Sequence, residues 1–394
     1  MKEFERNHYI QNRLLRNFAT VAVNGKYKIC LLNLIEFSAK YRNTDRAFYL
    51  KNFYDVKSSE DVKDLEKKFN DKIESMIVPI LTKFLGNDEF FEFTRNDLGI
   101  IKKYILLQLY RTPHNQKSYT NIPSNSFELS QFNIKENESK DNFWKREMLT
   151  ILDTDWEKLL CSNMIGIRKH AMEINSNFIM FVRTNEEFCI NDLGYSTERI
   201  SINISKAKEE NYIKLAKKVG KELYGQNNFD ELAKKEIENK NIYIDNFILF
   251  PVSSNLVILS VSPLWKMLYL HPELLNSEIP FVSGVLTKHF SIPIVDYVNK
   301  EKIKIESDIQ LYKDGNDKFK YKVHTLTREE TTYLNHLIMN EAFAYIGLKT
   351  PSKFLETIKQ YNIMAGVGSG NIKKNLLGFV ELLSKLGDLP ANAN

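Results

Sequence analysis

Cysteine and long apolar runs are scarce in this sequence of 394 residues. Its three cysteines, Cys30, Cys161 and Cys189, lie far apart without a CxxC pair, which argues against zinc or redox motifs, and their odd number argues against a disulfide framework. No stretch approaches the roughly 18–20 apolar residues that cross a bilayer, and the first residues lack the apolar core of a signal peptide. We therefore expect a cytoplasmic protein with no membrane partner.

Net charge, glycine and proline are also low. The chain has 55 Lys and Arg against 50 Asp and Glu, and the resulting +5 is too diluted to indicate nucleic-acid binding by itself. Glycine (15) and proline (10) are few, whereas phenylalanine (25) and tyrosine (19) are abundant. With 43% hydrophobic and 27% charged residues, the composition is typical of a globular protein and argues against a disordered or fibrous one, but it indicates no activity.

The order of local patterns predicts an α+β fold that is predominantly helical, with an N-terminal β-hairpin and a small central antiparallel sheet. Asn24-Gly25 separates two strand-like runs at 20–23 and 27–32, which is typical of a tight hairpin turn. Short aromatic and β-branched runs predict further strands at 178–182, 188–190, 247–250 and 257–260. Helical patterns precede and follow these strands, so an alternating βαβ fold is not expected.

One large domain is predicted over residues 1–361. Within it, the Ser-, Asn- and Lys-rich segment 115–142 is expected to be a long polar connector. The Lys- and Glu-rich segment 205–241 is typical of a charged helical insertion. Residues 362–394 are expected to form a hinge, a C-terminal helix and a tail. The glycines at 366–370 in this hinge lack the Lys-Ser/Thr of a phosphate-binding loop.

Several separated segments resemble, in order, the motifs of one family. The series begins with HYIQNRLLRNF at 8–18 and continues with LQLYRTP at 107–113, FCINDLG at 188–194 and ILFPVS at 248–253. Asn335 lies in a late helix where the family places an asparagine. The set resembles the family catalogued as domain of unknown function 4238, from about residue 6 to 361. The sequence departs from the family pattern at Gln11, Asn12 and Gly194, where the family has Pro, Gln and Pro.

This resemblance implies a mostly microbial intracellular protein, encoded near mobile elements or phage-defence genes, with polar residues gathered from distant segments. Such a protein would be an effector of anti-phage defence or toxin type. We expect the gathered residues to share one pocket. The predicted catalytic residues are His8, Asp192 and Arg111, and the predicted substrate-binding residues are Asn12, Arg16, Gln108 and Asn335.

The residue types in this set predict chemistry on a phosphate-containing substrate such as RNA, DNA or a nucleotide. His8 can act as a general acid or base near neutral pH, Asp192 can orient it or bind Mg²⁺, and Arg111 can hold an anion. The predicted enzyme is a nuclease or another hydrolase of phosphodiesters or nucleotides. No metal site is predicted from the ligand spacing, and the cofactor is left open with Mg²⁺ as a candidate. Glu66-x-Lys68 matches half of a nuclease signature, but a long helix is the wrong setting for it.

Two other interpretations remain open. The predicted residues can serve the fold alone, with His8 and Asn12 fastening the first helix and Asp192 forming a turn. The protein would then be a non-catalytic sensor or scaffold that recognises a phage or host protein, or a partner protein of the same defence system. Alternatively, a basic face would bind nucleic acid without catalysis, through Arg6, Arg13, Arg16, Lys102, Lys103, Lys373 and Lys374.

Overall fold

A computed structural model describes residues 6–22, 25–54, 65–122, 138–202, 242–262, 289–305, 307–365 and 376–389, with a few isolated positions between these ranges. The described residues form helices and three β-sheets, and the α+β class is confirmed. No helix in these ranges has both the length and the apolar character needed to cross a membrane.

The α-helices of the described ranges follow here in chain order. They are α1 (Asn12–Arg16), α2 (Leu65–Phe69), α3 (Ser75–Lys83), α4 (Arg95–Tyr110), α5 (Pro113–Asn121), α6 (Lys140–Asp153), α7 (Trp156–Leu159), α8 (Ile165–Ser176), α9 (Asp308–Tyr312), α10 (Arg328–Glu341), α11 (Pro351–Ala365) and α12 (Gly378–Leu386). A π-helical turn, Asn70–Glu74, joins α2 to α3. Thr94 and Asp97 form a reciprocal capping box at the start of α4, which satisfies two backbone N–H groups.

The strands are β1 (Arg6–His8), β2 (Thr20–Val21), β3 (Tyr27–Asn33), β4 (Ser38–Asn43), β5 (Tyr49–Lys51), β6 (Phe90–Thr94), β7 (Phe178–Arg183), β8 (Ile190–Asn191), β9 (Ser196–Ile202), β10 (Ile242–Ser253), β11 (Leu256–Val261), β12 (Ile294–Asp296), β13 (Lys318–Thr325) and β14 (Tyr345–Leu348). The largest sheet has seven strands in the order β12-β13-β7-β11-β10-β9, with β6 also paired to β13. The β13–β7 pairing is parallel. The sheet is therefore larger than the small antiparallel sheet predicted from the sequence.

A five-stranded sheet contains the N-terminal segment. Its order is β2-β3-β14-β8, with β4 also on β3. Strands β2 and β3 pair antiparallel. Between them, Gly25 has a φ of 71°, in the left-handed region that glycine adopts readily. Val23 and Asn24 of the predicted hairpin turn lie outside the described residues. Strand β14 lies between β3 and β8, and this pairing brings the chain around residue 345 beside the segment after residue 190. Strands β1 and β5 form a separate two-stranded sheet.

Aromatic side chains provide much of the core. Phe181 of the large sheet lies 5.5 Å from Phe84 and 5.3 Å from Phe91, measured between ring centroids, and Trp144 is fully buried. Burying a side chain of this size contributes about 1.5–3 kcal/mol. The buried apolar residues form one contiguous cluster that includes residues of both larger sheets and of the helices around them. The abundance of Phe in the sequence is thus explained largely by packing.

The predicted segment boundaries have different outcomes. Residues 115–121 of the predicted polar connector are helical and belong to α5. Pro113 begins that helix because a first-turn proline has no N–H to leave unpaired. The predicted insertion at 205–241 lies almost entirely outside the described residues, as does the hinge at 366–375. The C-terminal helix exists as α12, and it packs against α11 and β4.

Candidate functional site

His8 is held at the end of β1 by pairing with Tyr49 of β5. The residue is half-buried, and its Nε2 is buried without a hydrogen-bond partner. The ring makes a hydrogen bond with the backbone of Thr44, which we assign to Nδ1 because Nε2 has no partner. Burial, and then the positive charge of Arg111, lower the pKa of His8 below 6.5. The imidazole is therefore neutral at neutral pH, with Nε2 available to accept a proton.

Arg111 follows the last residue of α4 and is fully buried. Its Nε donates a 3.1 Å hydrogen bond to Tyr54 Oη, and its Nη1 donates a 2.7 Å hydrogen bond to Glu74 Oε1. Glu66 Oε1 lies 3.9 Å from Nη2, and the guanidinium carbon lies 4.2 Å from the ring centroid of Phe69. Although burial opposes the charge, these neighbours raise the pKa of Arg111. The guanidinium therefore stays charged inside the core.

Three atoms of the predicted site residues are buried without a hydrogen-bond partner. They are His8 Nε2, Arg111 Nη2 and Asn12 Oδ1. Asn12 begins α1, and α1 packs against the turn Thr44–Arg46, whose first residue hydrogen bonds to His8. Leaving a buried polar atom unpaired costs about 1–3 kcal/mol, and such atoms in native proteins call for an explanation. Within the described ranges, other buried side-chain atoms also lack a hydrogen-bond partner, those of Ser38, Arg183 and Ser260 among them.

Asp192 serves the fold. Its Oδ1 accepts a 2.8 Å hydrogen bond from the backbone N–H of Phe343, and its Oδ2 accepts bonds of 2.6 and 3.3 Å from Ala344 and Tyr345. These bonds fasten the chain just before β14 to the turn after β8. Burial raises the pKa of the Asp192 carboxyl, and the three N–H groups oppose that shift. The carboxylate oxygens are thus already engaged by the backbone.

The predicted orientation of His8 by Asp192 is therefore not what the structure shows. No hydrogen bond or ion pair joins the two residues in the part of the chain that the structure describes. The acidic groups that act on the imidazole are Glu74 and Asp45, and both raise the pKa of His8, against the larger effects of burial and Arg111. The acidic partners of the histidine come from other segments than the sequence suggested.

Gln108 fastens two chain segments together. Its Nε2 donates to the backbone carbonyls of Tyr9, at 3.0 Å, and of Leu193, at 2.8 Å. A Cβ atom at Gly194 would lie 2.9 Å from the same Nε2. The close approach explains the glycine, since any other side chain would displace the amide. Gln108 thus links the His8 strand to the Asp192 turn through main-chain groups.

The two remaining predicted binding residues make contacts of other kinds. Asn335 accepts a 2.9 Å hydrogen bond from the N–H of Cys189 and donates one of 2.9 Å to the carbonyl of Glu187, so its amide is satisfied by backbone. Arg16 is exposed, and its guanidinium carbon lies 5.1 Å from the ring centroid of Tyr27. Neither contact involves His8 or Arg111. The structure therefore brings together His8 and Arg111, with the helix of Asn12 alongside.

Tyr54, Glu74 and Thr44 complete this site, and sequence reasoning missed all three. None of them belongs to a motif, and only the tertiary fold brings them to His8 and Arg111. Glu66 belongs to the partial nuclease signature, and its Oε1 lies 3.9 Å from Arg111 Nη2. Within the described ranges, no group of three or more His, Cys, Asp or Glu side chains is arranged to hold a metal ion.

Comparison with known proteins identifies the family. The family model described as Protein of unknown function (DUF4238) matches residues 6–351, which is most of the chain, and the protein belongs to this family. No curated protein and no solved structure matches it. The resemblance seen in the sequence motifs is thus confirmed.

Proposed function

We propose that the protein is a hydrolase acting on a phosphate-containing substrate such as RNA, DNA or a nucleotide, with His8 as general base and Arg111 as the contact to the phosphoryl group. The observation that carries the proposal is the pair of buried atoms without a hydrogen-bond partner, His8 Nε2 and Arg111 Nη2, on residues that influence each other electrostatically. One atom can accept a proton and the other can donate a hydrogen bond.

The chemistry follows from these two capacities. A water molecule or substrate hydroxyl donates its proton to His8 Nε2 as its oxygen attacks phosphorus, and the Thr44 backbone steadies the ring. The bond from phosphorus to the leaving oxygen then breaks, and protonated His8 gives the proton to that oxygen, which restores the neutral ring. Arg111 Nη2 donates a hydrogen bond to a phosphoryl oxygen as negative charge develops there. The carboxylates of Glu74 and Glu66 offset the charge of Arg111. Recognition therefore depends on a directed hydrogen bond more than on a strong positive field.

The experiment compares three purified proteins on RNA, single-stranded DNA and nucleoside triphosphates. They are the wild type, His8→Gln and the control His114→Gln, which changes an exposed histidine. We expect the wild type to cleave one of these substrates, His8→Gln to lose about 100-fold or more of that activity, and the control to retain it. Equal rates for His8→Gln and the wild type, or no cleavage of any of the three substrates by the wild type, would contradict the proposal.

A non-catalytic sensor or scaffold is the second candidate. Three of the predicted site residues, Gln108, Asp192 and Asn335, hydrogen bond to backbone groups, as a structural role requires. In addition, the exposed ring of Phe343 stacks on His114 with 3.9 Å between centroids, and aromatic side chains on a surface are suited to contacting another protein. The substitution Phe343→Ser would then abolish binding to the partner protein, whereas His8→Gln would leave that binding intact.

The cellular role we propose, an effector of anti-phage defence or toxin type in the cytoplasm, rests on the family resemblance. Expression of the wild type beside His8→Ala in a bacterial host, with and without phage, tests it. We expect reduced growth or reduced phage yield with the wild type alone, together with altered RNA or DNA profiles. Equal phenotypes for the two proteins would count against a role for His8.

A further inference from the structure

Four polar side chains meet around the end of β13, outside the site of His8 and Arg111. Ser291 Oγ lies 2.8 Å from His324 Nε2. His289 Nε2 lies 3.1 Å from each carboxylate oxygen of Glu330, and the rings of His289 and His324 are 5.5 Å apart between centroids. A hydroxyl within hydrogen-bond reach of an imidazole is the arrangement of a nucleophile and its base.

Neighbouring elements fix the geometry of this cluster. Glu330 belongs to the capping box of α10, where its carboxylate also accepts a 2.8 Å hydrogen bond from the N–H of Thr327. Phe290 is buried and packs edge-on against Phe178 at the start of β7, with 5.9 Å between centroids, and this anchors the chain beside Ser291. Side chains locked by their surroundings are pre-organised for reaction.

The electrostatics keep the base unprotonated. Burial, followed by the electrostatic interactions with His289 and with Lys322, lowers the pKa of His324 to about 4. The ring is consequently neutral at neutral pH and its Nε2 has a lone pair for the Ser291 proton, but it is a weaker base than an ordinary imidazole, so the proposal rests on the 2.8 Å contact between Ser291 Oγ and His324 Nε2. Both Ser291 and His324 are half-buried, which leaves them open to a small substrate. The positive charge of Lys322 favours negative charge developing on a substrate oxygen.

We infer that Ser291 and His324 form a nucleophile and base pair that hydrolyses carboxylic esters through an acyl-serine intermediate, an activity separate from the one proposed at His8. As Ser291 Oγ bonds to the carbonyl carbon, its proton passes to His324 Nε2. The ester C–O bond then breaks, and the alcohol leaves with that proton. Water next attacks the acyl-serine and gives a proton to His324, which returns it to Ser291 Oγ as the carboxylic acid departs.

The test uses a fluorophosphonate probe, which phosphonylates an activated serine with loss of fluoride. Native full-length protein is labelled and digested, and the modified residue is located by mass spectrometry. We expect the label on Ser291 in the native protein and none after denaturation in urea. The labelling rate should fall about 100-fold or more in both His324→Gln and His324→Asn, because the base is lost. The control His114→Gln should label at the wild-type rate.

Three results would overturn the inference. They are no label on Ser291 in native wild type, a label only on other serines, or an unchanged rate in whichever His324 variant retains its cooperative unfolding transition. Turnover of p-nitrophenyl acetate and p-nitrophenyl phosphate then tests the substrate class. Acetate hydrolysis that Ser291→Ala abolishes supports a carboxylic ester, and hydrolysis of the phosphate alone contradicts it. Because Ser291→Ala leaves His8 intact, failure here is distinguishable from failure of the proposal for His8.

Discussion

Arg111 Nη1 donates a 2.7 Å hydrogen bond to Glu74 Oε1, and the Arg111 side chain is only 1% exposed. Removing one member of a buried pair leaves the other charge poorly compensated. We expect Glu74→Gln to lower the free energy of unfolding by about 3 kcal/mol in urea denaturation. The exposed pair of Lys68 and Asp153, at 3.3 Å, provides the control. Lys68→Gln should change stability by less than about 1 kcal/mol, and an equal loss in both variants would contradict this account of Arg111.

Gly194 and Gly25 form a matched pair for testing the role of Gln108. Both have a left-handed φ, of 74° and 71°, so alanine carries a similar backbone cost at each position, about 1–2 kcal/mol. A Cβ atom would meet Gln108 at Gly194 but nothing within 4 Å at Gly25. We therefore expect Gly194→Ala to be less stable than Gly25→Ala by about 1–3 kcal/mol in urea denaturation, because the buried amide loses its carbonyl partners. Equal losses in the free energy of unfolding would show that the hydrogen bonds of the Gln108 amide contribute little to stability.

Asp192→Asn separates a structural role from a catalytic one. The two carboxylate oxygens of Asp192 accept hydrogen bonds from three backbone N–H groups. Asparagine has only one oxygen, and its NH₂ group, itself a donor, would face an N–H donor. We expect a loss of about 1–3 kcal/mol in the free energy of unfolding, with the activity of each folded molecule unchanged. The measurements are urea denaturation and the rate on the substrate found in the His8 experiment. A large fall in rate with unchanged stability would restore Asp192 as a catalytic residue.

The carboxyl group of Glu147 predicts a pH-dependent contribution to stability. Tyr119 Oη donates a hydrogen bond to its Oε2, the side chain is fully buried, and burial raises its pKa from 4.5 to about 7. The folded state holds this proton more tightly than the unfolded state does. The contribution is therefore complete below pH of about 4.5, falls as the pH rises to about 7 and is lost above it.

Glu147→Gln removes that titration, because the amide stays neutral. The stability of the wild type minus that of Glu147→Gln should fall by about 3 kcal/mol between pH 4.5 and 7, at about 1.4 kcal/mol for each pKa unit of difference. Taking the difference cancels the histidine titrations common to both proteins. The control is Glu356→Gln, at an exposed position, and it should leave the pH dependence of the free energy of unfolding the same as in the wild type. A difference that stays constant over this range would refute the buried carboxyl as its source.

Local features of the fold could be predicted from the sequence, whereas long-range pairings could not. The capping box of Thr94 and Asp97 lies within four residues, so it can be read directly. The placement of β14 between β3 and β8 depends on contacts across hundreds of residues and leaves no local pattern. Thr112-Pro113 shows an intermediate case. The proline is a local signal that a helix ends before it, but Thr112-Pro113 also caps and begins α5, which the polar composition that follows conceals.

The candidate site follows the same division. His8, Arg111 and Asn12 could be selected because ordered motifs contain them, and each of the three has a buried atom without a hydrogen-bond partner. Asp192 and Gln108 lie in motifs as well, but their side chains hydrogen bond to backbone groups. Residue type alone does not distinguish a carboxylate that binds substrate from one that accepts hydrogen bonds from N–H groups. Tyr54 and Glu74 reach Arg111 through the fold alone.

The measurement that tests the central claim most directly is a pH titration of the His8 imidazole by NMR in protein labelled with ¹⁵N-histidine, assigned by comparison with His8→Gln. The account predicts a pKa below 6.5 and, at pH 7, a neutral ring whose Nε2 carries no proton. A pKa above 6.5, or a proton on Nε2 at pH 7, would contradict the assignment of His8 as the base of the site.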